Sequence, residues 1–138
     1  MATPSTLHLP RAIVNQLLDH ARHSPDAEIC GLISARDGKP VRCIRIANVA
    51  ATPTCRYAME PVQQIDALRE MRERDESLYA IYHSHPSSPA APSAIDIREA
   101  GYPDAHYLII SLNTTGVLEM RGFRIDTDTV VELPLELE

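Results

Sequence analysis

The sequence predicts an α/β fold in which a mixed central β-sheet is flanked by helices. Two segments carry apolar residues at helical spacing, and several short apolar runs between turn residues are typical of strands. One of these runs, YLIISL at residues 107–112, is apolar throughout, as expected of a central strand covered on both faces. With 138 residues, the chain is expected to form a single domain over residues 1–138 and to bury about two-thirds of its unfolded surface.

The first half of the chain predicts a short strand, a helix and a β-hairpin. Residues 6–9 are expected to form a brief edge strand, and Pro10 is suited to the start of a helix. The apolar residues of this helix recur at helical spacing: Ile13, Val14, Leu17, Leu18 and Ala21. Residues 28–35 (EICGLISA) predict a buried strand, which Asp37-Gly38 turns back into a partner strand over residues 41–49.

The second half predicts another helix, a short helix and the remaining strands. A helix over residues 61–75 is expected to turn one apolar stripe inward, formed by Val62, Ile65, Leu68 and Met71. An apolar strand then leads to His83, and a short helix covers residues 93–100. Strands over residues 107–112, 117–125 and 129–133 complete the sheet, with a turn at residues 113–116.

Composition excludes several classes of function. The net charge is −6 and no basic cluster stands out, so nucleic acid is not an expected partner. No apolar run approaches the length of a membrane span, and the N-terminus lacks the features of a signal peptide. The three cysteines, Cys30, Cys43 and Cys55, form no C-x-x-C pair. We therefore expect a cytoplasmic protein without membrane partners, in which these cysteines are not a disulfide scaffold.

Side chains of the types that bind metal ions lie at the end of the predicted strand and just after it. His83 and His85 form an H-x-H pair whose side chains share one face of a strand, and S-x-x-D follows at Ser93 and Asp96. Two imidazoles and one carboxylate are a ligand set for catalytic zinc. Two structural alternatives remain, because S-x-x-D is also a helix-capping pattern and paired histidines on a strand can simply be hydrogen-bonded.

This segment resembles the motif of the JAMM (MPN+) metalloprotease family, E…H-x-H-P-x6-S-x2-D. His83, His85, Pro86, Ser93 and Asp96 match it, and Glu28 in E-I-C-G-L-I is similar to the family's upstream glutamate. An acidic residue at the start of a strand would otherwise be interpreted as a solvated edge residue. The resemblance implies a single domain with a three-layer, cytidine-deaminase-like fold.

The resemblance also implies a site and a reaction. His83, His85 and Asp96 would hold Zn²⁺, Glu28 would activate the zinc-bound water, and Ser93 would stabilise the oxyanion. JAMM enzymes cleave peptide or isopeptide bonds after the C-terminal Gly-Gly of ubiquitin or ubiquitin-like proteins. The lean loops of this chain resemble the small prokaryotic members, and the implied substrate is a ubiquitin-like sulfur-carrier protein.

Two other functions compete with carrier processing. One is a non-catalytic MPN scaffold that binds partners through its helices, although such relatives typically lack a metal ligand that is present here. The other is a metallohydrolase that cleaves small peptide amides. The sequence leaves the oligomeric state open.

Overall fold

The computed structural model describes residues 6–113 and 118–138. The helices and strands in chain order are β1 Leu7–Leu9, α1 Arg11–Arg22, β2 Cys30–Arg36, β3 Lys39–Ile46, α2 Pro61–Glu73, β4 Ser77–His85, α3 Ala94–Glu99, β5 His106–Ser111, β6 Glu119–Asp126, β7 Thr129–Leu133 and β8 Leu135–Leu137. The turn predicted at residues 113–116 lies outside the described residues except for Asn113, as does the predicted first residue of the next strand, Val117.

The main sheet has six strands in the order β3-β2-β4-β5-β6-β7. Strands β4 and β5 are parallel, whereas every other pair of neighbours is antiparallel. The chain between β4 and β5 contains α3, as a crossover between parallel strands requires. The predicted mixed sheet is thus confirmed. The predicted first strand exists as β1, but it pairs in parallel with β8, a strand that was not predicted, in a separate two-stranded sheet.

Helices cover both faces of the main sheet and produce three layers. The buried residues of α1 pack against one face with Ile33 and Tyr82, whereas α2 packs against the other face with Leu32 and Ile81. Because side chains alternate along a strand, Tyr82 points toward α1 while Ile81 and His83 point toward α2 and α3. The pleat of β4 therefore fixes the face on which the histidines lie.

The predicted inner stripe of α2 is wrong in its first half. Val62 and Ile65 are 63% and 64% exposed, and the buried residues of this helix are Ala67 and Met71. The buried face of the helix therefore runs through Ala67 and Met71. Val62 and Ile65 lie to one side of that face and remain in solvent.

The helices are short compared with the bilayer. The longest, α2, has 13 residues, whereas a transmembrane helix needs about 20. Among residues 6–113 and 118–138, no helix is long and apolar enough to cross a membrane.

Candidate metal centre and active site

The two histidines lie at the end of β4, between strands β2 and β5. His83 and His85 are 1% and 3% exposed. In the parallel ladder with β5, His83 is paired with Ile109 and His85 with Ser111. Both imidazoles are therefore held by strands inside the sheet and face the layer that contains α3.

Three possible ligand atoms meet at this point. His83 Nε2 and His85 Nε2 lie 3.1 Å apart, and each lies 3.1 Å from Asp96 Oδ2. Ligand atoms around a tetrahedral zinc, about 2.0–2.1 Å from the ion, lie about 3.3 Å apart. The spacing and the donor set therefore fit a zinc ion bound by two imidazoles and one carboxylate.

Asp96 and His83 have protonation states that suit a cation. At His85, burial lowers the pKa, but hydrogen bonds with Asp96 and the Pro89 carbonyl outweigh burial and raise the pKa, so a bound ion would displace a proton there. Burial alone would raise the pKa of Asp96, but the hydrogen bonds from His83 and His85 outweigh it and lower the pKa below its usual value. Burial lowers the pKa of His83 and thus favours the neutral imidazole that a metal requires. His85 Nδ1 donates to the carbonyl of Pro89 at 2.7 Å, which leaves Nε2 free to face the ligand cluster.

The sequence left open whether Ser93 and Asp96 cap a helix or belong to a metal site, and in the structure they are placed to do both. Ser93 is the N-cap of α3, and its Oγ accepts a hydrogen bond from the backbone N–H of Asp96 at 3.0 Å. The Ser93 N–H donates in return to Asp96 Oδ2 at 2.9 Å. The same Asp96 oxygen faces the histidines, so the capping box also aims a carboxylate at the site.

Glu28 lies two residues before β2, not in the strand as predicted. Cys30 is paired with His83 across β2 and β4, and continuing this register places Glu28 opposite His85. A Glu28 carboxylate oxygen lies within 4.8 Å of the histidine nitrogens. The residue is buried, and Oε1 has no hydrogen-bond partner among the described residues. Burial raises the pKa of Glu28 to about 7. Repulsion from Asp96 acts in the same direction, and the nearby His85 acts in the opposite direction.

The backbone of Glu28 is fixed by the loop between β3 and α2. Its N–H donates to the carbonyl of Pro53 at 2.7 Å, and its carbonyl accepts from Asn48 Nδ2 at 2.9 Å. Asn48 makes three further hydrogen bonds within the loop: to Arg56 O, and from the N–H groups of Ala50 and Ala58. Asn48 thus fixes Glu28 relative to this loop.

Glu28 and Asp96 are alternative third ligands for an ion bound by the histidines. Asp96 Oδ2 lies at tetrahedral ligand spacing from both imidazoles, and a Glu28 oxygen lies within 4.8 Å of them. The hydrogen-bonded Asp96 oxygen suits a direct ligand. Glu28 Oε1, which has no hydrogen-bond partner among the described residues, is suited to accept a hydrogen bond from a water on such an ion.

Two groups without a role in the sequence analysis also shape the site. The ring of Tyr57 stacks on His83, with centroids 4.5 Å apart and planes inclined by 25°. The carbonyl of Pro89 sets the orientation of His85, as described above. Neither contact has a local sequence signal, because Tyr57 comes from a remote loop and a carbonyl is present in every residue.

Ser84 and Cys30 lie beside the site without entering it. Ser84 points to the opposite face of β4, where Oγ accepts from the N–H of Ile29 at 2.9 Å. This contact ties β4 to the segment that carries Glu28. Cys30 is fully buried, and burial raises the pKa of its thiol to about 12, so it is a core residue and not a nucleophile at neutral pH.

Solved structures with the same architecture define the class of protein. A solution structure from Desulfitobacterium hafniense aligns with a TM-score of 0.84 at 34% identity, covering 96% of this chain and 92% of that one. A crystal structure of a JAB1/MPN domain protein from Archaeoglobus fulgidus aligns with a TM-score of 0.62 at 16% identity, covering 96% of this chain and 100% of that one. The fold is that of the JAB/MPN class, as the resemblance implied.

The family model described as prokaryotic homologs of the JAB domain matches residues 10–125. This chain belongs to that family. Proteins from Mycobacterium bovis and Mycobacterium tuberculosis named CysO-cysteine peptidase are 35% identical to it over 127 residues, which cover 91% of this chain and 86% of theirs. The family and the name of these relatives support a peptidase.

Proposed function

We propose that this chain is a zinc-dependent peptidase that hydrolyses the bond after the C-terminal Gly-Gly of a ubiquitin-like sulfur-carrier protein. The observation that carries the proposal is the triangle of His83 Nε2, His85 Nε2 and Asp96 Oδ2, with sides of 3.1 Å, beside the buried carboxylate of Glu28. A scaffold that only binds partners has no need of such a donor set.

His83, His85 and Asp96 would hold the ion. When bound by three protein ligands, Zn²⁺ keeps a position for water, lowers the pKa of that water to about 7 and polarises a carbonyl oxygen. The stack with Tyr57, the hydrogen bond to Pro89 and the capping box keep the three ligands in place. These contacts reduce the reorganisation needed when the ion binds.

Glu28 is the proton carrier in this proposal. Oε1 accepts a proton from the attacking water and delivers it to the departing amine. The amide C–N bond breaks, the amine leaves with the transferred proton, and the water oxygen becomes part of the new carboxyl group, whose remaining proton passes to the amine or to solvent to give the carboxylate. Its hydrogen bonds to Pro53 and Asn48 keep the backbone of Glu28 fixed during this transfer. A positioned acid–base group typically contributes about 10²–10⁴-fold to the rate.

Ser93 is the oxyanion donor in this proposal. Its Oγ already accepts a hydrogen bond from the Asp96 N–H, and its own O–H hydrogen remains free to donate. The residue is exposed at the N-cap of α3, where a substrate carbonyl can reach it. The proton carrier and the oxyanion donor would then act on the same amide from different elements of the fold.

The substrate assignment rests on the relatives and on the lean loops. The mycobacterial relatives carry the name CysO-cysteine peptidase. By analogy, we assign to this chain a carrier whose C-terminal glycine is joined to a further residue, with cysteine as the first choice. Cleavage would return the carrier with a free C-terminal glycine.

Zinc content and carrier cleavage test the proposal together. The probe is mycobacterial CysO carrying one C-terminal cysteine, with the loss of that residue followed by mass spectrometry. We expect about one zinc per chain and cleavage for the wild type, and neither for His83→Ala/His85→Ala. The control, His8→Ala/His23→Ala, removes two exposed histidines outside the site and should retain both.

Each alternative function has its own outcome. A wild type that binds no zinc even when zinc is added would support the scaffold. A wild type that binds zinc and cleaves short peptides, but leaves the carrier intact, would support a hydrolase of small peptide amides. Either result would overturn carrier processing as the function.

A further inference from the structure

A small cavity opens beside Asp96 on the face of the sheet that α2 and α3 cover. Its volume is about 180 Å³. A cavity of this size suits a single amino-acid residue of a substrate. It adjoins a proposed metal ligand, so a residue bound in it would lie next to the reacting bond.

In the part of the chain that the structure describes, the cavity is lined by a single cationic side chain together with carboxylates and neutral polar groups. This lining contains one guanidinium, two carboxylates and four further side chains with polar groups: Arg56, Asp96, Glu99, Tyr57, Gln64, Tyr102 and Tyr107. Asp96 is a proposed metal ligand, so its charge would be offset by the ion. Among the described residues that line the cavity, Arg56 is the only one with a positive charge. Gln64 Nε2 donates to the Tyr102 hydroxyl at 3.2 Å, which leaves the Arg56 guanidinium as the group suited to an anion.

Arg56 already holds a carboxylate. Its Nη2 forms an ion pair with Glu99, and both side chains remain accessible, at 44% and 41% exposure. A guanidinium has five donors in a planar fork, so one carboxylate does not exhaust it. An exposed ion pair of this kind contributes little to stability. A second carboxylate can therefore join or replace Glu99 on Arg56 without a large loss.

We propose that Arg56 binds the terminal carboxylate of the residue that the enzyme removes, and that Glu99 occupies this position until substrate arrives. The inference rests on the proposed function and narrows it. The preferred substrate is a carrier extended by a single residue with a free carboxylate. An isopeptide-linked lysine within a protein chain has no carboxylate to offer at that position, and an amidated residue has lost its charge.

Two substrates that differ only in the terminal charge test the proposal. Ligation of a CysO thioester to cysteine or to cysteinamide gives carriers that end in a free acid or in an amide. We expect the zinc-loaded wild type to prefer the acid by about 10–100-fold in kcat/KM, the range of a hydrogen bond to a charged group. Arg56→Gln should remove this preference by slowing the acid alone, and Arg56→Lys should keep part of it.

Glu99→Gln separates recognition from a purely structural role. If Glu99 occupies the substrate position, its removal should lower KM for the acid by about 2–5-fold, because the substrate then no longer has to displace an exposed ion pair. If the pair merely ties the loop to α3, Arg56→Gln and Glu99→Gln should slow the acid and the amide alike. Arg69→Gln breaks exposed pairs of the same kind on α2 away from the cavity, and should change neither substrate.

The outcomes distinguish this inference from the function on which it rests. Cleavage of acid and amide at equal rates by the wild type would overturn the role of Arg56 and leave carrier processing standing. If Arg56→Gln still prefers the acid over the amide, the role of Arg56 is likewise overturned and carrier processing stands. Cleavage of neither substrate by the zinc-loaded wild type would overturn the proposed function, and the inference with it.

Discussion

Ser93 and Asp96 are joined by two reciprocal hydrogen bonds, and the Asp96 oxygen that closes this pair also faces both histidines. The Ser93 N–H lies 2.9 Å from Asp96 Oδ2, which in turn lies 3.1 Å from His83 Nε2 and from His85 Nε2. Helix α3 has six residues, too few to be stable without its cap and its packing. The start of α3 and the geometry of the proposed metal site are therefore fixed by the same contact.

Substitutions at Ser93 should separate capping from catalysis. Ser93→Ala removes the cap acceptor and the hydroxyl, so we expect a loss of about 1 kcal/mol in the free energy of unfolding. Without the oxyanion donor, we also expect cleavage to slow by about 10²–10³-fold. Ser93→Gly should cost only a few tenths of a kcal/mol, yet slow cleavage equally, because glycine is tolerated at N-caps but has no hydroxyl. Urea denaturation and kcat measure the two effects.

The glycine variant decides between the two roles. If kcat falls in Ser93→Ala but stays close to the wild-type value in Ser93→Gly, the rate follows the stability of the fold. That result would mean that Ser93 acts only as a cap.

Glu28→Gln should keep the metal and lose turnover. The amide has the size of the carboxylate but accepts no proton, so we expect kcat to fall by about 10²–10⁴-fold with zinc content unchanged. His85→Ala should lose both, because it removes a proposed ligand. Elemental analysis of purified protein and the carrier assay measure the two quantities.

Glu73→Gln is the matched control for this prediction. It makes the same change on the exposed face of α2 and should retain zinc and activity. Full turnover in Glu28→Gln would remove the proton-carrier role. Loss of zinc from Glu28→Gln would instead make Glu28 a ligand, the alternative that its proximity to the histidines allows.

Tyr57 should affect metal affinity through the ring of His83. Tyr57→Ala removes the stacked ring and frees the imidazole to rotate, so we expect zinc affinity to weaken by about 10-fold, at the lower end of the range for outer contacts of a metal site. Tyr57→Phe keeps the ring and should bind zinc like the wild type. Titration against a competing chelator measures both affinities. Equal affinity in all three proteins would show that β4 alone orients His83.

The histidine–aspartate part of the site could be predicted because it is local. His83, His85, Ser93 and Asp96 belong to one strand–loop–helix unit, so strand periodicity and a capping pattern are enough to bring them together. Glu28 is different, because it reaches the site only through the pairing of β2 with β4. A single sequence does not specify which strands pair, and only the family resemblance pointed to this residue.

The inward face of α2 could not be predicted from apolar spacing. Val62 and Ile65 fit a helical stripe with Met71, and so does Ala67. In the structure, Ala67 is the one that packs with Met71 against the sheet, whereas Val62 and Ile65 are exposed. The buried position of Glu76 was equally hidden from the sequence, because its partners Arg36 and Arg42 lie on other strands or at their ends. Charged residues are buried only when partners reach them, and the partners are distant along the chain.

Glu76 should be a main electrostatic contributor to stability. Its side chain is 2% exposed, and Oε1 accepts from Arg42 Nη2 at 2.7 Å, while Oε2 accepts from Arg36 Nη2 at 3.3 Å. Glu76→Gln takes away the buried anion of Arg36 and Arg42, and leaves Arg42 with only the more exposed Glu70 carboxylate at 3.2 Å. We expect a loss of about 2–3 kcal/mol in the free energy of unfolding at neutral pH, slightly less than for a fully buried pair because the arginines are partly exposed. Asp66→Asn, which breaks an exposed pair with Arg69, should cost less than about 0.5 kcal/mol.

The pH dependence tests the cause of this loss. Hydrogen bonds from Arg42 outweigh burial and hold the pKa of Glu76 below its usual value near 4.5. A carboxyl group with a depressed pKa stabilises the fold fully above its unfolded pKa and loses that contribution as the pH falls through its folded pKa. The difference between the wild type and Glu76→Gln should therefore stay constant from about pH 8 to about pH 5.5, and shrink at lower pH. A difference that persists undiminished wherever the wild type still folds in acid would mean that shape and neutral hydrogen bonding, and not charge, make Glu76 stabilising.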